Sequence, residues 1–173
     1  VFATGGIGGV HRGDATDISA DLPELSRTSV AVVCAGAKSI LDLPATLEWL
    51  ETAGVPVIGY QTDEFPAFYS RSSGLKLEAC ADDAKEAAQM IKTKWEMGLE
   101  GGVLIVNPIP EKDSLDRAKM DIAIGRAISD SQVNGISGKQ LTPFLLAKLS
   151  EATKGESLKA NIALLENNTR VAA

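Results

Sequence analysis

The chain has 173 residues, of which 45% are hydrophobic and 23% charged, and its net charge is −6. That length suffices for one domain with a substantial core. An acidic chain with no basic block argues against a nucleic-acid backbone or an anionic membrane as the main partner, though not against a small anionic ligand. No apolar run reaches the roughly 18 residues that a spanning helix needs, and no basic-then-apolar leader is present, which points to the cytoplasm. Cys34 and Cys80 show no Cys-x-x-Cys spacing, so they read as thiols of a reducing compartment, not as a disulfide frame or zinc site.

Residues 1–4 look like the end of a strand, and the start VFAT without methionine suggests a piece of a longer chain. Gly5, Gly6, Gly8 and Gly9 open a glycine-rich loop that runs to Gly13. Such a loop lets backbone N–H groups converge on an anion. No Gly-Lys-Ser/Thr closes it, so it is not a P-loop, and a plain flexible loop explains it equally well. His11, the sole histidine, and Arg12 lie within it. Asp14, Asp17 and Asp21 follow. In an extended segment Asp17, Ser19 and Asp21 share one side, which suits a hard cation with phosphate nearby. The alternative use of Asp21 is to cap a helix over residues 22–27, with Glu24 closing a capping box and Pro23 in the first turn.

Residues 30–34, VAVVC, form an apolar β-branched run, as in a strand buried on both faces. Ala35, Gly36 and Ala37 then turn the chain, Lys38 follows, and a helix is expected from residues 39–41 onward. Lys38 thus sits at the carboxyl end of a buried strand, the edge where open α/β sheets bind ligands. A partly desolvated lysine there can attack a carbonyl, whereas the plain alternative is a surface lysine past a strand end. Leu43, Leu47 and Leu50 give residues 40–53 a helical period, with Pro44 bending or restarting the helix and Gly54 ending it. Residues 55–60 form the next strand. Residues 62–77 are irregular and hold Phe65, Phe68, Tyr69 and Arg71, which suit either a lid or a loop packed on its own core.

Asp82 or Asp83 caps a helix to about Met97, with Ala84, Ala87, Ala88, Ile91 and Trp95 inward. Residues 103–106, VLIV, form another buried strand that runs into Asn107-Pro108-Ile109-Pro110. Ser114 is expected to cap a helix to about Ser129, with Leu115, Ala118, Ile122 and Ala127 inward. Residues 139–154 and 157–170 read as two more helices, with Asn161 on the second. Strand and helix alternate three times before the closing helices, the pattern of a parallel sheet covered on both faces. No clean linker interrupts it, so residues 1–173 read as a single α/β domain.

The segments TGGIGGVHRG, DISADL, VVCAGAKSILD, FPAFYSR, NPIP and KANIALLENN together resemble the pseudouridine-5′-phosphate glycosidase family over nearly the whole chain. The resemblance implies a three-layer α/β/α sandwich, a homotrimer and a divalent metal, usually Mn2+. It implies reversible cleavage of the C–C glycosidic bond of pseudouridine 5′-phosphate to uracil and ribose 5-phosphate, formally a hydro-lyase reaction. Lys38 matches the nucleophile that forms an imine (Schiff base) with ring-opened ribose. Asp17 matches the metal ligand, acting through bound water. Ser19, Ala20 and Asp21 match the substrate-binding segment, with Ser19 near the phosphate. Thr4, His11 and Asn161 fall where the family lines its pocket. Family members also carry an N-terminal portion ahead of the position of Val1, holding a glutamate general acid/base and a second, phosphate-binding lysine. A separate N-terminal piece of the same enzyme is therefore an expected partner. The alternatives are an inactive truncated piece and a phosphosugar-binding module without chemistry.

Overall fold

The computed structural model describes residues 1–136 and 138–173, with the backbone alone at Asp14 and Lys139. In chain order the elements are β1 (Phe2–Ala3), β2 (Val10–His11), β3 (Asp14–Ile18), α1 (Asp21–Arg27), β4 (Ala31–Cys34), β5 (Leu41–Asp42) and α2 (Leu43–Thr52). Then come β6 (Val57–Tyr60), β7 (Ala79–Ala81), α3 (Ala84–Glu96), β8 (Val103–Val106), α4 (Arg117–Val133), α5 (Leu141–Ala152) and α6 (Glu156–Ala172).

The apolar runs AVVC and VLIV become neighbouring parallel strands, paired from Ala31↔Val103 to Cys34↔Val106. They lie at the centre of a five-stranded parallel sheet of order β1-β4-β8-β6-β7. Every residue of β4 and β8 is buried, because successive side chains point to opposite faces and both faces are covered. Val32, Cys34, Leu104 and Val106 join a core with Leu22 of α1, Leu50 of α2, Ile124 of α4, Leu149 of α5 and Leu164 of α6. Val33, Val103 and Ile105 face the other way, against Ala87 and Met90 of α3. The expected α/β/α layering is therefore observed. Each fully buried leucine contributes about 1.5–3 kcal/mol to holding the layers together.

Several boundaries differ from the sequence reading. After Lys38 no helix starts at once. Leu41 and Asp42 instead form β5, which pairs with β2 in a three-stranded antiparallel sheet, β3-β2-β5. The helix begins at Leu43, where the Asp42 carboxylate accepts a hydrogen bond from Ala45 N at 3.0 Å. Pro44 therefore lies in the first turn, where its missing N–H costs nothing, and it does not bend the helix. Asp21 is not the cap of α1; Ala20 occupies that position and no side chain caps it. Ser114 is not a cap either. Asp116 is, accepting from Lys119 N at 2.8 Å. Packed on the main core, α4 buries Met120, Ile124, Ala127 and Ser131, while Ala118 and Ile122 are exposed.

On α3 the cap is Asp83, bonded by Glu86 N at 2.8 Å. Its contact line is narrow, as suits a helix over the β6–β7 side of the sheet: Ala87 is buried, Ile91 and Trp95 are half-buried, and Ala84 and Ala88 are exposed. Lys94 is also buried, donating to the carbonyls of Leu99, Glu100 and Gly101. Burial pulls its amine pKa down. In the 62–77 segment Phe65, Phe68 and Tyr69 belong to the main core, and the last two rings meet edge-on at 4.7 Å. These aromatics form core, not a lid.

Candidate active-site edge

The β1–β4 pairing continues past both strand ends. Thr4 N donates to Val33 O, Ala35 N to Gly5 O, Ile7 N to Gly36 O and Lys38 N to Ile7 O, all at 2.9–3.0 Å. Ile7 and Ala37 form a parallel bridge. The glycine-rich loop is thus laid along residues 35–38, and half-buried Lys38 stands at the carboxyl edge of β4 beside it. Glycine is required where the two strands of this ladder meet the aromatic segment. Gly36 has φ +82°, and a Cβ on it would lie 2.6 Å from Pro66 O. A Cβ on Gly6 would lie 2.6 Å from the Phe68 ring.

The DISADL segment lies along the loop's other side. Gly8 N donates to Asp21 Oδ2 at 2.7 Å, and Ser19 N donates to Gly9 O at 3.0 Å. This explains why Asp21 caps no helix: its carboxylate is taken by an N–H thirteen residues earlier. A Cβ on Gly8 would fall 2.0 Å from Ser19 Oγ. The expected anion cradle is accordingly smaller than the glycine count suggests. Ile7 N, Gly8 N and Val10 N are bonded internally, the last to the buried Thr46 hydroxyl at 3.0 Å.

His11 and Asp17 face each other across the β2–β3 hairpin, Nδ1 to Oδ2 3.9 Å, too long for a hydrogen bond. The Asp17 carboxyl is 48% exposed and the imidazole 19%. The Asp14 side chain lies outside the described residues. Among the described residues no group of three or more His, Cys, Asp or Glu side chains gathers to hold an ion. Asn161 reaches the loop from α6, its Oδ1 3.1 Å from where a Gly5 Cβ would lie. Thr4 is half-buried and Ala20 exposed.

The structure therefore brings Thr4, Ser19, Asp21, Lys38 and Asn161 to the loop at residues 4–9, with His11 and Asp17 on the hairpin that continues it. A neighbouring cavity of about 420 Å3 is bordered by Arg12, Ser39 and Ser70 and contains none of these residues in its lining. Arg12 is held there by the carbonyls of Leu41 and Ser39, at 3.0 and 2.9 Å. Sequence reasoning missed the supports beneath the loop. Thr46 is fully buried and donates to Asp42 O at 2.6 Å while accepting from Val10 N. Asn107 and Asn168 are buried too. Only the polar residues inside otherwise buried positions could have signalled them.

A family model described as indigoidine synthase A like protein matches residues 1–173. The chain is 64% identical over 175 aligned residues to the pseudouridine-5′-phosphate glycosidase of Caldanaerobacter subterraneus subsp. tengcongensis, covering 100% of this chain and 57% of that protein. It is 59% identical to the protein of that name from Hahella chejuensis, covering 58% of it. Among solved structures it resembles the prealnumycin C-glycosynthase AlnA in complex with ribulose 5-phosphate, with TM-score 0.92 and 43% identity over 99% of this chain and 57% of that one. It also resembles an indigoidine synthase A-like protein from Thermotoga maritima, with TM-score 0.90 and 40% identity over 98% of this chain and 56% of that one. The chain thus spans somewhat more than half the length of the relatives it matches.

Proposed function

Because the chain belongs to the family of indigoidine synthase A like proteins, we propose that it carries the lysine-bearing part of a pseudouridine-5′-phosphate glycosidase. The reaction is the reversible conversion of pseudouridine 5′-phosphate and water to uracil and ribose 5-phosphate. The observation that carries this reading is the placement of Lys38 at the carboxyl edge of β4, tied through its own N–H to the loop that also holds Ser19 and Asp21. The names of the relatives supply the substrate.

The chemistry follows from the bond to be broken. A C–C glycosidic bond offers no basic leaving oxygen to protonate, unlike an O-glycoside. Lys38 Nζ bonds to C1′ as the C1′–O4′ bond breaks, and O4′ takes up the proton that the amine gives up. The nitrogen lone pair then forms a C1′ iminium while the C1′–C5 pair passes to uracil, which is protonated at C5. Water hydrolyses the imine, releasing the aldehyde of ribose 5-phosphate and the free amine. A carboxylate bound at C1′ has no comparable lone pair to expel uracil; an amine nitrogen does. In this reading Thr4, His11 and Asn161 line the pocket, and Ser19, Ala20 and Asp21 form the substrate-binding segment, with Ser19 near the phosphate.

The donor set at the hairpin fits one kind of metal. A single half-exposed carboxylate, Asp17, suits a hard divalent ion such as Mn2+ that keeps several waters and shares a substrate phosphate. When bound, such an ion neutralises phosphate charge. The general acid/base and a second phosphate-binding lysine are assigned to the portion of the relatives that this chain does not match. The reading extends to cytoplasmic work as a homotrimer. No described helix is long and apolar enough to cross a membrane. The exposed stripe of Leu158, Ile162 and Leu165 on α6 offers a surface for assembly.

The test is to assay this 173-residue chain alone and together with the N-terminal portion of a relative. Turnover of pseudouridine 5′-phosphate is expected in the combined preparation, with the chain alone slower by about 100- to 10,000-fold for want of the acid/base. No turnover in either preparation would contradict the reading.

A further inference from the structure

Asn168 lies on α6 at 0% exposure, more than 160 positions from the loop it touches. Its Nδ2 donates to Thr4 O at 2.8 Å and to Gly5 O at 3.4 Å, and its Oδ1 accepts from Asn107 Nδ2 at 3.1 Å. Asn107, 5% exposed, stands at the end of β8, and its own N–H donates to Cys34 O at 2.8 Å. One buried amide pair thus ties together the carboxyl ends of β1, β4 and β8. Those are the three adjacent strands whose edge presents Lys38.

We propose that Asn168, oriented by Asn107, is a positioning residue that sets the height of the glycine-rich loop against Lys38. The inference rests on the reading of Lys38 as the nucleophile. The geometry gives the amide a role that packing alone does not require. Thr4 O and Gly5 O leave the β1 edge where the chain turns into the loop, and a carbonyl buried there needs a donor. The ladder from Gly5 O to Ala35 N, Gly36 O to Ile7 N and Ile7 O to Lys38 N then transmits that position to the lysine backbone. Asn107 fixes which way the Asn168 amide points: by donating to Oδ1 it leaves the NH2 group for the two loop carbonyls. An apolar residue at 168 would fill the space, take this donor from Thr4 O and leave Gly5 O held by Ala35 N alone.

The test uses the full-length enzyme. Asn168→Asp keeps the shape but replaces the double donor with a carboxylate, Asn107→Ala removes the orienting donor, and Leu149→Ala, in the α5 core, serves as a control for general destabilisation. Displacement of a reacting group by about 1 Å costs about 100-fold. Asn168→Asp is therefore expected to lower kcat about 100-fold with little change in KM, Asn107→Ala to lower it less, and Leu149→Ala to leave it unchanged at a temperature where it is folded. Amide hydrogen exchange at residues 5–9 should rise in Asn168→Asp and not in Leu149→Ala. Wild-type kcat in Asn168→Asp, or an equal loss in Leu149→Ala, would overturn the inference. If the wild type itself shows no turnover, the glycosidase reading fails, and unchanged exchange at residues 5–9 would then refute the positioning separately.

Discussion

Replacing Gly36 by alanine separates two costs that the structure places on one residue. Gly36 has φ +82°, where an L-residue carries roughly 1–2 kcal/mol of strain. Its new Cβ would also lie 2.6 Å from Pro66 O, a backbone atom that cannot rotate away. Overpacking of that kind costs about 1–3 kcal/mol, so Gly36→Ala should lose about 2–5 kcal/mol in all. Gly54 supplies the comparison. Its φ is +68°, with nothing within 4 Å of the position a Cβ would take, so Gly54→Ala should lose only the strain, about 1–2 kcal/mol. Urea unfolding of both variants measures the difference, and thermal unfolding should show Gly36→Ala lower by about 2–4 °C for each kcal/mol. Because Gly36 O anchors Ile7 N beside Lys38, Gly36→Ala should lose activity as well. Equal losses of stability in the two variants would refute the close-approach argument.

Asp17→Ala should weaken Mn2+ binding, measured by calorimetry in the presence of ribose 5-phosphate; unchanged affinity would remove Asp17 from the metal site. The thiols offer a check on the fold. Cys34 is buried and its thiol is pushed up to about 12 by burial, whereas Cys80 is exposed. A thiol reagent at pH 8 should therefore label Cys80 alone in the native protein and both cysteines in urea, and rapid native labelling of Cys34 would contradict the buried placement of β4.

The parallel sheet was legible because β4 and β8 are four-residue apolar runs that two covered faces demand. The cap at Asp83 was legible because its partner, Glu86 N, is local. What escaped depends on contacts distant in sequence. Asp21 looked like a helix cap until Gly8 N claimed its carboxylate. Leu41 and Asp42 looked helical because a two-residue strand has no period of its own, and only its pairing with Val10 and His11 makes it a strand. The inward face of α4 escaped because the core it packs against, and not its cap, buries Met120, Ile124 and Ala127 and leaves Ile122 exposed. At the site, the glycine-rich loop and Lys38 could be seen in sequence. Their supports, Thr46, Asn107 and Asn168, could not, because a buried hydroxyl or amide leaves no periodic trace.

The central claim is that Lys38 forms the covalent bond. Borohydride added during turnover by the full-length enzyme reduces an imine to a stable amine and leaves a ribose-phosphate adduct on the attacking residue. Peptide mapping should find that adduct on the peptide containing Lys38. Lys38→Arg, which keeps the charge but cannot form the imine, should bind substrate without turning it over and yield no adduct. An adduct on another lysine, or substantial turnover by Lys38→Arg, would contradict the account.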